Sequence, residues 1–136
     1  MTAKRVLQIA SVLTLLFAAG HSLGGLQSWS PPGDTEVLKA MQAFHFDAQG
    51  VTRSYWHFYI GFGWIISLFL VLQSVLIWQL AAIAGQQPRL IRPMVAALLA
   101  AMAVNTALSW VFFFAIPVIF SVAIAACLGL SLRAAR

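Results

Sequence analysis

A charge-free stretch at residues 93–132 decides the fold of this chain, and it reads PMVAALLAAMAVNTALSWVFFFAIPVIFSVAIAACLGLSL. A helix needs about 20 mainly apolar residues to cross a bilayer, so this stretch is long enough for two spans. The turn between them is predicted at residues 114–117, FAIP, because proline lacks a backbone N–H donor and starts a helix well. The alternative, one continuous helix, would be too long for a bilayer. The stretch therefore predicts helices at 93–114 and 117–132.

Two more apolar runs precede this stretch, at residues 6–25 and 55–84. The second run is long enough to tilt or to project beyond the lipid. The first run follows Lys4 and Arg5, as the apolar core of a signal peptide would, but its length favours a retained membrane span. The sequence thus predicts an all-α protein with a single transmembrane domain over residues 1–136, folded as a four-helix bundle.

The composition agrees with this membrane assignment. Hydrophobic residues make up 62% of the chain and charged residues 8%, whereas soluble domains are about half apolar and a quarter charged. A net charge of +5 would suggest nucleic-acid binding in a soluble protein. Here the bases stand beside apolar runs, so membrane topology explains them and no nucleic-acid partner is expected. The single cysteine, Cys127, has no CxxC or zinc pattern around it and is expected to pack as a small hydrophobe.

The distribution of charge predicts an orientation. Bases precede the first span, separate the second from the third and follow the fourth: Lys4, Arg5, Arg89, Arg92, Arg133 and Arg136. With four spans they all fall on one side, which the positive-inside rule makes the cytoplasm. The acids Asp34, Glu36 and Asp47 all lie in the opposite loop. The chain is therefore predicted to lie in a bacterial inner membrane with both termini in the cytoplasm.

The loop between the first two spans is predicted to carry a short amphipathic helix at residues 34–49. Asp34 resembles a helix cap, and Glu36 follows in the first turn, where the helix dipole favours an anion. Mostly apolar side chains then recur at helical spacing: Val37, Leu38, Met41, Phe44, His45 and Ala48. Such a helix would lie on the extracytoplasmic membrane surface and end at Gly50.

All three histidines, His21, His45 and His57, belong to the predicted outer half of the protein. Ionisable groups in or near membrane spans are costly and often mark functional sites. Two histidines could ligate haem iron, two or three could hold a metal ion, one could bond the carbonyl of a quinone, or one could move protons with Asp47 as a partner. The plain alternative is that each ring bonds backbone or water at the membrane interface. No metal site is predicted, because no close-spaced ligand motif exists.

Residues 53–64, RSYWHFYIGFGW, form the stretch with the most side chains able to bind a ligand. On a helix two sets of side chains share a face: His57, Gly61 and Trp64, and Trp56, Tyr59 and Gly63. Glycines beneath bulky aromatics could leave a hollow for a flat apolar ligand, and Arg53 could bind an anionic head group. The alternative is an aromatic belt at the membrane interface.

In the second half of the chain, Asn105 is the deepest strongly polar side chain. It is predicted to hydrogen-bond between helices, with ligand contact as the alternative. The spans carry no acid, which weakens a proton-coupled exporter, and the chain lacks a serine elbow, a phosphate loop and an HExxH motif.

Two short motifs resemble those of small uncharacterised bacterial four-helix membrane proteins that are similar to the DoxX-like group. They are Gly20-His21 followed by Gly24, and Trp56-His57 through Gly61. The likeness covers mainly the first half of the chain. It implies the fold, with a histidine ending the first span and aromatics starting the second, and it implies no particular activity.

The leading functional prediction is a membrane binding module or accessory subunit that holds a quinone, lipid or isoprenoid in an outer-leaflet pocket. The predicted ligand-binding residues are His21, His45, Arg53, Trp56, His57, Tyr59, Trp64 and Asn105. The second hypothesis is a histidine-dependent enzyme or haem protein in which His57, His21 and Asp47 converge. The third is a structural subunit of a homo-oligomer or a larger membrane complex. A channel is least favoured, because no charged ring or carbonyl filter is present.

Overall fold

A computed structural model of the protein describes residues 2–30, 33 and 35–135. Within them the elements follow in the order α1 (Ala3–Leu26), α2 (Glu36–Ala43), β1 (His45–Ala48), β2 (Val51–Ser54), α3 (Tyr55–Ala84), α4 (Arg92–Phe112) and α5 (Ala115–Ala134). Helices α1, α3, α4 and α5 are each long and apolar enough to cross a membrane. The predicted class, an all-α multi-pass bundle with a short helix between the first two spans, is confirmed.

The break in the charge-free stretch lies where proline indicated it. Helix α4 ends at Phe112, and the backbones of Phe113 and Phe114 are extended before α5 begins. Pro117 is the third residue of α5, a position whose backbone N–H would have no intrahelical partner in any case. The two-helix prediction is correct, and the boundary falls about two residues earlier than expected.

The predicted helix at 34–49 is wrong in its second half. Helix α2 stops at Ala43, and the residues after it form a two-stranded antiparallel hairpin in which Ala48 pairs with Val51. From Phe44 onward, aromatic and polar side chains alternate, which is the period of a strand. The cap is Thr35, whose Oγ1 accepts the Leu38 N–H at 3.2 Å; Asp34 lies outside the described residues.

A two-residue turn closes the hairpin at Gln49 and Gly50. Both residues have positive φ, 57° and 84°, which is the signature of the type I′ turn that matches the twist of paired strands. The Asp47 carboxylate accepts the Gly50 N–H at 2.7 Å. Gly50 therefore acts in a turn and not at a helix end, and Asp47 has a structural task there.

The described chain divides into two compact units. The first contains residues 2–18 and 70–135, and it holds the buried hydrophobic cluster. Its fully buried side chains come from all four long helices: Leu7, Ile77, Val95, Ile124 and Leu128. The rings of Phe17 and Phe120 stack with centroids 5.2 Å apart.

Two buried serines link α1 and α3 inside this unit. The Ser11 hydroxyl donates to the Ser74 carbonyl at 2.8 Å, and the Ser74 hydroxyl donates to the Ser11 carbonyl at 2.9 Å. Serine is small enough to let helix backbones approach closely, and its hydroxyl forms a hydrogen bond between helices that lipid chains cannot offer. The pair therefore fixes the contact between these two helices.

The second unit, residues 19–69, is packed mainly by aromatic rings. Phe44 stacks on Tyr55 at 5.8 Å, and Phe46 stacks on Phe58 at 5.9 Å. These contacts tie the end of α2 and strand β1 to the first turns of α3. The hairpin is thus held against the start of α3 by rings.

The serine pair can be tested by removing one hydroxyl. We expect Ser11→Ala to lower the free energy of unfolding by about 1 kcal/mol. In the double variant, Ser74→Ala should lower it further by less than Ser74→Ala does alone, because the two hydroxyls share one contact. Ser131→Ala is the matched control, because among the described residues that buried hydroxyl bonds within its own helix, to the Leu128 carbonyl. Unfolding in mixed detergent, followed by circular dichroism, measures the effect; equal losses for Ser11→Ala and Ser131→Ala would contradict the interhelical role.

Candidate functional site

The candidate site residues of the second unit fall into two clusters. One surrounds the indole of Trp29 and contains His21, Tyr59 and Trp64. The other is a groove beside the start of α3 and contains Arg53 and His57. The predicted single pocket is therefore divided in the structure.

Trp29 is positioned by the C-terminal cap of α1. The Trp29 N–H bonds to the Gly24 carbonyl at 2.9 Å, and the Ser28 N–H bonds to the Gly25 carbonyl at 3.0 Å. These two bonds form a Schellman motif, in which the residue after the cap is left-handed. That residue is Ser28, with φ of 59°, where glycine is usual. The motif turns the chain so that the indole of Trp29 lies back against the helix it has just left.

Polar contacts hold Trp29 in place. Its indole N–H donates to the His21 carbonyl at 2.8 Å, and the Tyr59 hydroxyl donates to the Trp29 carbonyl at 2.7 Å. The ring centroid lies 5.2 Å from that of His21 and 5.4 Å from that of Trp64, the latter edge to face. Both ends of the residue are therefore bonded, which offsets the cost of its own left-handed backbone, φ 48°.

Glycines make the room for this indole. A β-carbon at Gly24 would lie 3.0 Å from the ring, one at Gly25 would lie 2.6 Å from it, and one at Gly63 would overlap it. The sequence predicted a hollow beneath the aromatics at Gly63. The hollow exists, but Trp29 of the same chain fills it, so this half of the predicted ligand pocket is occupied by protein.

The His21 ring is also engaged within this cluster. Its Nδ1 lies 2.9 Å from the Ser67 hydroxyl, and Ser67 is buried. One face of the ring contacts the indole of Trp29. His21 thus bridges α1 and α3 and contributes to packing.

His57 caps the start of α3. Its Nδ1 accepts the Ser54 N–H at 3.0 Å and lies 2.9 Å from the Ser54 hydroxyl. A side chain at the third helical position that reaches back to the cap N–H is half of a capping box, with histidine here in place of glutamate. Because a backbone N–H can only donate, Nδ1 carries no proton, and the proton of the neutral ring is on Nε2. His57 therefore has a hydrogen-bond donor at Nε2.

His45 lies close to His57, with ring centroids 6.3 Å apart. Its Nδ1 donates to the Ala43 carbonyl at 2.8 Å. Among the described residues no group of three or more histidine, cysteine or acidic side chains is placed to hold a metal ion. Both of these rings are exposed.

The groove runs along one face of α3. Arg53, His57, Phe58, Gly61, Phe62 and Ile65 line it, and its volume is about 280 Å³. Apart from its chain neighbours and the adjacent backbone of its own helix, no described residue would lie within 4 Å of a β-carbon at Gly61. This glycine therefore forms an open floor between aromatic walls. The groove is the part of the predicted hollow that remains empty of protein.

His21 and His57 do not converge. His21 bonds Ser67, and Ser67 follows His57 by ten residues on α3, which is about 15 Å along a helix axis. That separation exceeds the diameter of a helix with its side chains. The candidate catalytic partner Asp47 caps the hairpin turn.

Two other predicted residues are placed away from the groove lining. The Trp56 ring packs on Tyr59 with centroids 5.7 Å apart. The Asn105 amide donates to the Ser121 hydroxyl at 2.7 Å, and Ser121 donates to the Pro117 carbonyl. The expected interhelical bond of Asn105 is thus present between α4 and α5.

Several residues of the site were not predicted. Phe62 and Ile65 follow Phe58 by four and seven positions, so helical spacing could have grouped these three apolar residues on one face of α3. Ser54 was identifiable as a capping residue. Trp29 carries no such signal, because it stands in a loop and its cap uses serine where glycine would have marked the turn.

No protein-family model, curated protein or solved structure that was compared with the chain matches it. The resemblance to the DoxX-like group therefore stays a prediction.

Gly63→Ala tests the fit of Trp29. The added methyl group would overlap the indole, and overpacking of this kind costs about 1–3 kcal/mol. Gly61→Ala is the matched control on the same helix, and it should stabilise the protein by about 0.5–1 kcal/mol through helix propensity. Thermal unfolding measures both, and combining Gly63→Ala with Trp29→Ala should remove most of the penalty. Equal behaviour of the two alanine variants would contradict the fit.

Proposed function

We propose that this protein is a multi-pass binding module, or an accessory subunit, of the bacterial inner membrane. It holds a lipophilic ligand in the groove beside α3, in the outer leaflet. The observation that carries the proposal is the groove lined by Arg53, His57, Phe58, Gly61, Phe62 and Ile65. Its walls are apolar, and its two polar side chains stand together at one end, which is the usual composition of a small-molecule site.

The groove supports a binding role better than the Trp29 cluster does. In that cluster, three glycines that could have left a cavity instead contact Trp29. Gly61 keeps its surface open, and the rings of Phe58 and Phe62 stand beside it with centroids 6.4 Å apart. We therefore place the ligand at Gly61.

The enzyme and haem hypotheses need several polar groups on one reacting centre. Ser67, the hydrogen-bond partner of His21, is about 15 Å along the axis of α3 from His57, and the Asp47 carboxylate accepts the Gly50 N–H. These distances favour binding over histidine-dependent chemistry. The exposed rings at the start of α3, such as Tyr55 and Tyr59, also suit the lipid–water boundary.

The proposed orientation rests on charge. Lys4, Arg5, Arg89, Arg92 and Arg133 stand at or beyond helix ends on the side that carries both termini in a four-span arrangement. The acids are confined to residues 34–47. The positive-inside rule then places the hairpin and the groove on the extracytoplasmic side.

Filling the groove tests the binding proposal. We expect Gly61→Leu to reduce the lipophilic molecules that co-purify with the protein about ten-fold, since a factor of ten needs only about 1.4 kcal/mol of lost contact. Gly20→Leu is the matched control, because Gly20 is a helical glycine with equally open space around it outside the groove. Lipid extraction followed by mass spectrometry measures the amount of co-purifying ligand in both variants. Thermal unfolding checks that both are folded. Equal retention by the two variants would refute the groove as the site.

Cysteine labelling tests the orientation. In a Cys127→Ala background, we expect Gln42→Cys to react with a membrane-impermeant maleimide in cells with a permeabilised outer membrane. Gln87→Cys should react only after the inner membrane is opened. Both glutamines are exposed, so access depends on the side of the membrane. Reversed labelling would overturn the proposed topology.

A further inference from the structure

We infer that the ligand of the groove is an amphiphile bearing a phosphate group. The phosphate would lie at Arg53 and His57, and a single apolar chain would run over Gly61 towards Ile65. This inference rests on the proposed function and names its ligand class. It depends on three observations: the hydrogen bond that His57 Nδ1 accepts from the Ser54 N–H, the surroundings of Arg53, and the order of polar and apolar residues along the groove.

Both polar side chains of the groove are donors. His57 uses Nδ1 to accept the Ser54 N–H, which leaves Nε2–H to donate. Arg53 has donors only. A ligand that satisfies both must supply acceptors, and a phosphate carries several oxygens on one centre. A quinone carbonyl offers one oxygen and no charge, so it satisfies the pair less well.

The charge of Arg53 is uncompensated within the described part of the chain. Its guanidinium donates to the Thr52 carbonyl at 2.9 Å and forms no ion pair there. In the hairpin, Arg53 pairs with Phe46, so the two side chains share a face. The neighbouring acid, Asp47, alternates to the other face, where it bonds the Gly50 N–H. The strand thus separates the Asp47 carboxylate from the guanidinium.

The groove is ordered from polar to apolar. Arg53 and His57 stand at the start of α3, and Phe58, Phe62 and Ile65 follow. From His57 to Ile65 the helix rises about 12 Å. Phe46 stacks on Phe58 at 5.9 Å, which joins the face of Arg53 to the apolar wall. A volume of about 280 Å³ is at the small end for ligand sites and suits one chain.

The test compares probes that share a chain and differ in the head group. Binding of dodecyl phosphate and of dodecanol to the full chain in a non-ionic detergent is measured by thermophoresis. We expect dodecyl phosphate to bind about ten-fold more tightly than dodecanol, because its phosphate would accept charge-assisted hydrogen bonds from Arg53 and His57. Inorganic phosphate at the same concentration should not compete, because it lacks the chain.

Three substitutions assign the effect to the groove. Arg53→Gln should remove the preference for dodecyl phosphate and leave dodecanol unchanged, and Arg53→Lys should restore part of the preference. Arg89→Gln is the matched control, since it removes the same charge from the loop between α3 and α4 and should change nothing. Gly61→Leu should weaken both probes. Thermal unfolding confirms that each variant is folded.

The outcomes separate this inference from the proposed function. Equal affinity for both probes, with Gly61→Leu still weakening both, would leave the groove as a site and refute the phosphate. No effect of Gly61→Leu on either probe would refute the groove itself. Competition by inorganic phosphate would show a site for free phosphate and refute the amphiphile. Competition by phosphatidylglycerol, which has two chains, would show that the groove takes a bulk phospholipid and overturn the single chain, whereas its failure beside tight binding of dodecyl phosphate would support a single-chain phosphate.

Discussion

A backbone amide within the hydrocarbon of a bilayer has no water to bind, so its hydrogen bond must be made inside the protein. In this chain the four apolar segments meet that demand as helices. The helix breaks at Phe113 and Phe114, because one continuous helix over residues 92–134 would be too long for a bilayer. Lipid is as apolar as leucine, so helices associate through close packing and a few polar contacts. The reciprocal bonds of Ser11 and Ser74 are of this kind. No buried side-chain nitrogen or oxygen among the described residues lacks a hydrogen-bond partner.

Between α1 and α3, several described residues make local hydrogen bonds to the backbone. Thr35 caps α2, and a type I′ turn at Gln49 and Gly50 closes the hairpin. His57 caps α3 by accepting the Ser54 N–H. This last contact bears on the proposed function, because it places the proton of the neutral ring on Nε2, from which His57 would donate to the proposed ligand. A capping bond thereby sets the chemistry of the proposed site.

Glycines of similar appearance serve opposite purposes in the second unit. Gly63 is covered by the indole of Trp29, whereas Gly61, two residues earlier on α3, lies on an open surface. Successive residues of a helix point about 100° apart, so the two glycines face different surroundings. The aromatic stretch that looked like one pocket therefore supplies a packed contact on one face and a groove on another. The proposed binding of a phosphate amphiphile uses only the second face.

The lengths of the apolar runs alone predicted the four spans, because a run of about 20 apolar residues without charge is typical of a helix that crosses a bilayer. The sequence also indicated Arg53, His57 and Gly61, whose spacing on a helix needs no tertiary contact. The hairpin at 45–54 was missed because a helical and a strand period overlap over a few residues. The place of Trp29 was decided only by tertiary structure. Its cap uses Ser28 where glycine would have signalled the turn, and its partners Tyr59, Gly63 and Trp64 stand 30 or more residues further along the chain. No local sequence pattern predicts that the indole of Trp29 packs against these residues of α3.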